Sequence, residues 1–139
     1  MKRKKILMVD DDEDFREAYR IFLETKYEVV TAGSGEEGWK KLEEETPDLL
    51  ILDVMMDNRG EGFIFSRKMK KDDRFSHIPI IMLTGMREQT GFYFVRDDPR
   101  DSKFLPVDEF LEKPVDHMVL MEKVEELLHR KPNNNPQDT

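Results

Sequence analysis

With 31 acidic against 23 basic residues in a chain of 139, the net charge is -8, which repels phosphate backbones and argues against non-specific nucleic-acid binding. There is no cysteine, so a disulfide framework and a thiolate metal site are excluded, and no run approaches the ~20 apolar residues of a membrane span. Apolar runs at 6–9, 49–52 and 80–83 point instead to one domain with a proper core, and the expected location is soluble and cytoplasmic. A four-residue apolar run after the basic Lys2–Lys5 is too short for a signal peptide.

Residues 5–9 (KILMV) read as a short buried strand. Phe15, Ala18, Tyr19, Phe22 and Leu23 then recur at helical spacing, and the helix should stop near Lys26. The β-branched stretch 27–32 reads as a second strand. Ser34 and Glu37 form a capping-box signature that opens a helix through about Glu45, with Pro47 beyond it. The run DLLILD (48–53) is apolar between two aspartates, as expected of a central parallel strand. A glycine-containing loop (57–62) should lead to a helix over about Phe63–Lys70. Residues 78–84 and 108–113 read as the fourth and fifth strands. Pro114 and Asp116 open a last helix with Leu120, Val124, Leu127 and Leu128 on one face. Residues 86–107 show no clean stripe and suggest a short or irregular fourth helix. The domain is expected to span 1–131, and the tail 132–139, without an apolar residue, should be disordered.

Alternating strands and helices imply a parallel sheet covered on both faces, with ligands beyond the carboxyl ends of the strands. The candidate chemistry falls there. Asp10 and Asp11 follow the first strand, Asp53 closes the third, Thr84 closes the fourth and Lys113 follows the fifth. Carboxylates converging on one rim repel each other, and a hard divalent cation such as Mg²⁺ removes that penalty. Asp53 is also a candidate nucleophile, since a carboxylate can accept a phosphoryl group covalently. Lys113 offers a fixed positive charge for phosphoryl oxygens and Thr84 a hydroxyl donor.

The segments VDDDEDFR (9–16), ILDVMM (51–56), PIIMLTG (79–85) and FLEKPV (110–115), in that order and each at a strand end, resemble the response-regulator receiver domain, the family of the bacterial chemotaxis regulator, over about residues 4–130. The resemblance implies a flavodoxin-like α/β fold with five parallel strands in the order 2-1-3-4-5. It implies that Asp53 is the phosphoacceptor, with a histidine kinase or phosphotransfer protein as donor. Asp10 and Asp11 would be the acidic Mg²⁺ pair, Mn²⁺ being the alternative ion, with Asp53 and the Met55 backbone carbonyl completing the metal set. Thr84 would be the switch hydroxyl, Phe110 the rotating aromatic and Lys113 the phosphate-pairing lysine, preceding a cis Lys113–Pro114 bond. Met55 and Met86 would flank the path of the hydrolytic water and impede it. The output would be a protein contact through the face of helix 4, strand 5 and helix 5, counting 86–107 as helix 4, or onward phosphotransfer.

Three features depart from the family pattern. Asp57 stands where a proline is usual, the loop 57–62 is one residue longer, and the segment between Thr84 and Lys113 is longer and lacks the usual Gly-Ala. The phosphorylation set itself is intact, which argues against a degenerate receiver acting only as a phosphorylation-independent interaction module. A Mg²⁺-dependent phosphatase of the aspartyl-phosphate type would resemble an Asp-x-Asp motif, but Met55 stands two residues after Asp53. Asp12, Glu13 and Asp14 are read as capping helix 1. Trp39 and Leu42 are expected to face the core, and Phe92, Tyr93 and Phe94 stay open between core filling and a partner patch. His77, His117 and His129 are read as surface residues rather than ligands.

Overall fold

The computed structural model describes residues 3–53, 61–84 and 107–129. Five parallel strands, β1 (Lys5–Val9), β2 (Glu28–Ala32), β3 (Leu49–Asp53), β4 (Ile80–Thr84) and β5 (Glu109–Glu112), form one sheet in the order β2-β1-β3-β4-β5. The helices are α1 (Glu13–Leu23), α2 (Gly35–Glu45), α3 (Glu61–Lys70) and α4 (His117–Leu128). The expected helix within 86–107, the loop 57–60 with Asp57, the three aromatics Phe92–Phe94 and the tail lie outside the described residues, as do Met55 and Met86.

Strand residues alternate between the two faces of a sheet, and a sheet covered on both sides therefore needs apolar residues at every position. Residues 6–9 of β1, 49–52 of β3 and 80–83 of β4 meet that requirement. Leu7, Val9, Leu50, Leu52, Ile80 and Met82 face α2 and α3, where Leu42, Phe65, Met69 and Phe75 complete one core. Ile6, Met8, Leu49, Ile51, Ile81 and Leu83 face α1 and α4, packing on Tyr19, Leu23, Leu120 and Val124. Leu42 is buried and Trp39 half-buried against the first core, with its ring edge-on to Phe65 and Phe75. Gly38 allows α2 to lie close on β1, since a Cβ there would stand 2.9 Å from Val9 Cγ2.

The helix starts follow from side-chain caps. Asp12 Oδ1 accepts from Phe15 N at 3.1 Å, and Glu13 and Asp14 occupy the first turn of α1. Ser34 Oγ accepts from Glu37 N while Glu37 Oε1 accepts from Gly33 N. Asp116 Oδ1 accepts from Met118 N and Val119 N. Each cap satisfies amide donors that the first helical turn leaves without partners.

Several boundaries differ from the sequence expectation. Helix α1 ends at Leu23 rather than near Lys26, because Thr25 Oγ1 bonds back to the Phe22 carbonyl and Tyr27 N closes on Leu23 O. Ala18, part of the apolar pattern, is exposed. Helix α3 begins two residues earlier than Phe63. The fifth strand is shorter than 108–113, yet Asp108 N donates to Ile80 O and Lys113 N to Thr84 O, so the ladder bonds continue at both ends.

Helix α2 stops at Thr46, whose φ of 45° lies in the left-handed region. That region is disfavoured for a β-branched residue. Replacing the exposed Thr46 with glycine is expected to raise stability by about 0.5–1 kcal/mol, the relief of strain exceeding the added freedom of the unfolded chain. Urea unfolding checks it, and a lower midpoint for the glycine variant would contradict the strain argument.

Candidate functional site

The sequence runs outward from β1 in both directions of the sheet: α1 leads to β2 on one side, and α2 leads to β3 on the other. The strand order reverses between β1 and β3, and the crevice beyond their carboxyl ends is where such a sheet opens to ligands. Asp10 stands at the end of β1 and Asp53 at the end of β3. The two are nearly fully buried, at 1% and 4% exposure, while Asp11 is exposed at the rim.

The backbone at Asp10 is held from three sides. Its amide donates to the Ala32 carbonyl at 3.1 Å, extending the β1–β2 ladder. Its carbonyl accepts from Arg16 Nη1 at 2.7 Å. Its Oδ1 accepts from Asp12 N at 2.9 Å, which turns the chain into α1. The five consecutive acids 10–14 are thereby divided: Asp10 and Asp11 border the crevice, and Asp12, Glu13 and Asp14 start the helix.

The ammonium of Lys113 lies 3.0 Å from Asp10 Oδ2 and 3.6 Å from Asp53 Oδ2. It reaches there from the residue after β5, whose next bond, Lys113–Pro114, is cis. Burial opposes the charged form of this lysine, but Asp53 and Asp10 together outweigh it and hold the ammonium above its ordinary range. The same nitrogen lies 4.2 Å from the centroid of the Phe15 ring.

Oxygens of Asp10, Asp11 and Asp53 all lie within 4.8 Å of one another. Asp10 Oδ2 is buried, and its charge partner is Lys113 at 3.0 Å. A buried carboxylate clustered with two further carboxylates, one of them exposed at the rim, fits an oxygen-preferring divalent cation.

Thr84 ends β4 and is half-buried. Leu83 is the register partner of Asp53, which places Thr84 one residue further toward the crevice on the neighbouring strand. Phe110 pairs with Met82 in register and packs half-buried against the core under α2 and α3. The fold thus gathers Asp10, Asp11, Asp53 and Lys113 in one crevice and sets Thr84 on its rim. Phe110 packs on the α2–α3 face of the sheet, and Met55 lies outside the described residues.

Two neighbours were not singled out for this site by sequence reasoning. Phe15 reads as part of the apolar stripe of an amphipathic helix, and Arg16 appears only as the last residue of the VDDDEDFR segment. Their positions gave a signal nonetheless: both fall in the first turns of the helix that starts from the crevice. His77, His117 and His129 are exposed as expected, though the His117 ring also stacks on Phe22 with centroids 4.8 Å apart and meets the Tyr19 ring edge-on.

An all-parallel sheet in this order, with an acid cluster and a paired lysine at its switch point, defines a flavodoxin-like α/β domain with an acidic crevice. Comparison with known proteins narrows the class to a family. Residues 6–125 match the family model of the response regulator receiver domain. The chain belongs to that family, whose members are signalling domains of two-component systems rather than classical enzymes.

It is 35% identical over 127 residues to response regulator Rre1 of Synechocystis, covering 90% of this chain and 52% of that protein. It is 32% identical over 126 residues to the transcriptional regulatory protein AfsQ1 of Streptomyces coelicolor, covering 90% of this chain and 51% of that one. The chain therefore spans about half the length of these curated relatives. Among solved structures, a CheY-like receiver domain protein of Methanospirillum hungatei aligns with a TM-score of 0.74 at 29% identity, over 91% of this chain and 94% of that one. Chemotaxis protein CheY4 of Vibrio cholerae aligns with a TM-score of 0.76 at 27% identity, over 90% and 98%. Among the described residues no helix is long and apolar enough to cross a membrane.

Proposed function

We propose that this chain is a phosphoacceptor whose Asp53 carboxylate takes a phosphoryl group from the phosphohistidine of a histidine kinase or phosphotransfer protein. The observation that carries the reading is the position of Asp53: at the switch-point end of β3, nearly fully buried, with Lys113 Nζ at 3.6 Å. A carboxylate oxygen attacks phosphorus, a P–O bond forms, the P–N bond of the donor breaks, and the imidazole leaves with the electron pair. Such a transfer asks little of the protein beyond positioning and charge neutralisation. Lys113 supplies a positive charge at the place where phosphoryl oxygens would lie. Asp10, Asp11 and Asp53, with the Met55 carbonyl assigned by family resemblance, would hold Mg²⁺ or Mn²⁺. A bound divalent cation supplies charge neutralisation for the phosphoryl oxygens.

Thr84, on the strand beside Asp53, is assigned the hydroxyl that turns toward the phosphoryl group, and Phe110 the aromatic that moves with it. The consequence is a change at the face that includes β5 and α4, read by a protein partner. The domain is taken as 1–131, in the cytoplasm, with a tail at 132–139.

Incubation with a small phosphodonor and Mg²⁺ should add one phosphoryl mass to the wild-type chain and none to Asp53→Asn. Equal labelling of that variant would place the acceptor elsewhere. Partner binding that Asp53→Asn leaves unaltered would favour the phosphorylation-independent module instead.

A further inference from the structure

A lysine ammonium is a compact charge on a flexible four-carbon stem, and nothing in its own chemistry fixes it to one point. At this site two carboxylates attract it, Asp10 Oδ2 at 3.0 Å and Asp53 Oδ2 at 3.6 Å. A third group touches the same nitrogen: the Phe15 ring, whose centroid lies 4.2 Å away. An aromatic face attracts a cation and does so more strongly where water is partly excluded. The Lys113 side chain is only 21% exposed.

The ring is itself held. Phe15 packs on Tyr19, one turn further along α1, with centroids 4.2 Å apart and planes inclined at 31°. The buried Tyr19 phenol donates its hydrogen to the carbonyl of Val115, two residues beyond Lys113. Helix α1 thus grips the β5–α4 junction at two points, once through a hydrogen bond and once through the ring beneath the ammonium.

From this geometry we infer that Phe15 is a positioning residue for Lys113, its ring seating the ammonium between Asp10 and Asp53 so that the charge stands ready for an incoming phosphoryl group. Only the consequence for phosphoryl uptake rests on the functional reading above; the seating itself does not. An aliphatic side chain would fill similar space and leave the ammonium free to swing into solvent. A tyrosine would keep the ring face.

Two measurements test this. Proton NMR of the unphosphorylated chain should show the Lys113 ε-methylene protons shifted upfield by the ring current, with the shift lost in Phe15→Leu and kept in Phe15→Tyr. Phosphoryl uptake from a small phosphodonor should fall by about three- to tenfold in Phe15→Leu and stay near wild type in Phe15→Tyr, with the melting temperatures of both variants read alongside. In a Lys113→Gln background, Phe15→Leu should make no further difference to the residual rate. Uptake by Phe15→Leu at the wild-type rate, equal losses in the leucine and tyrosine variants, or no upfield shift in the wild type would each overturn the positioning role. A wild-type chain that takes no phosphoryl group at all would instead overturn the functional reading, and the ring-current shift would still decide where Lys113 sits.

Discussion

Replacing Lys113 with methionine is expected to slow phosphoryl uptake at Asp53 by about 100- to 1,000-fold, the usual loss when one preorganised positive or donor group is removed from the place where charge gathers. The same change should lower stability in metal-free buffer by about 3 kcal/mol. Its cause is the state left behind: Asp10 and Asp53 are nearly fully buried, and the methionine variant leaves two carboxylates facing each other without their ammonium. The folded protein holds this lysine's pKa above its ordinary value. Stability from that interaction is therefore fully present below the ordinary lysine value and is lost as the pH rises through the folded one. Wild type should weaken in that alkaline range more than Lys113→Met does. Urea unfolding against pH measures both effects. A variant as stable as wild type without metal would mean that the ion pair is offset by its desolvation, as buried pairs sometimes are.

The methionine variant also separates two roles that the structure superimposes on one side chain. Lys113 occupies the neighbourhood of Asp10 Oδ2, the oxygen best suited to a cation. Lysine and metal therefore compete for the same acid. Removing the lysine should leave the crevice with a tighter hold on Mg²⁺ even as phosphoryl uptake collapses. A single substitution that moves affinity for the ion and reactivity in opposite directions is hard to explain by misfolding.

The acids and the lysine were legible in the sequence because their positions are set by strands that can hardly be misread. Runs such as ILMV and LLIL are apolar at every position, so they suit only a sheet covered on both faces, and whatever polar residue follows them must emerge at its edge. The helix starts were legible for a similar reason, since Asp12, Ser34 and Asp116 each have a local amide partner. Helix ends were less so. The apolar stripe of α1 ends at Leu23, but Glu24, Thr25 and Lys26 carry no stop signal, and burial of Tyr27 and the start of β2 turn the chain after Leu23. Phe15 shows the other limit. Helical spacing identifies it as a packing residue, but spacing carries no information about what it packs against. Its partner Lys113 comes from the opposite end of the chain, and their contact exists only once β5 lies beside β4 and α1 returns across the sheet.

Magnesium at about ten times its dissociation constant is expected to stabilise the wild-type chain by about 1.4 kcal/mol, since an ion that binds only the folded state adds RT ln(1 + [L]/Kd). For a domain of this size that corresponds to a rise of about 4 °C in melting temperature. Asp10→Asn and Asp11→Asn should both lose most of that increment, as each removes one of three oxygens that lie within 4.8 Å of one another. Without metal the two variants should part. Asp10 is buried and paired with Lys113, so its asparagine variant leaves the ammonium one counter-charge short and should cost about 2 kcal/mol. Asp11 is exposed, and relief of repulsion from Asp10 and Asp53 there should keep its variant within about 0.5 kcal/mol of wild type. Thermal melts of the three proteins with and without Mg²⁺ read all five quantities. Equal metal-free stabilities for the two variants would show that burial does not separate the roles of these adjacent acids, and an undiminished Mg²⁺ increment in either would remove that residue from the metal set.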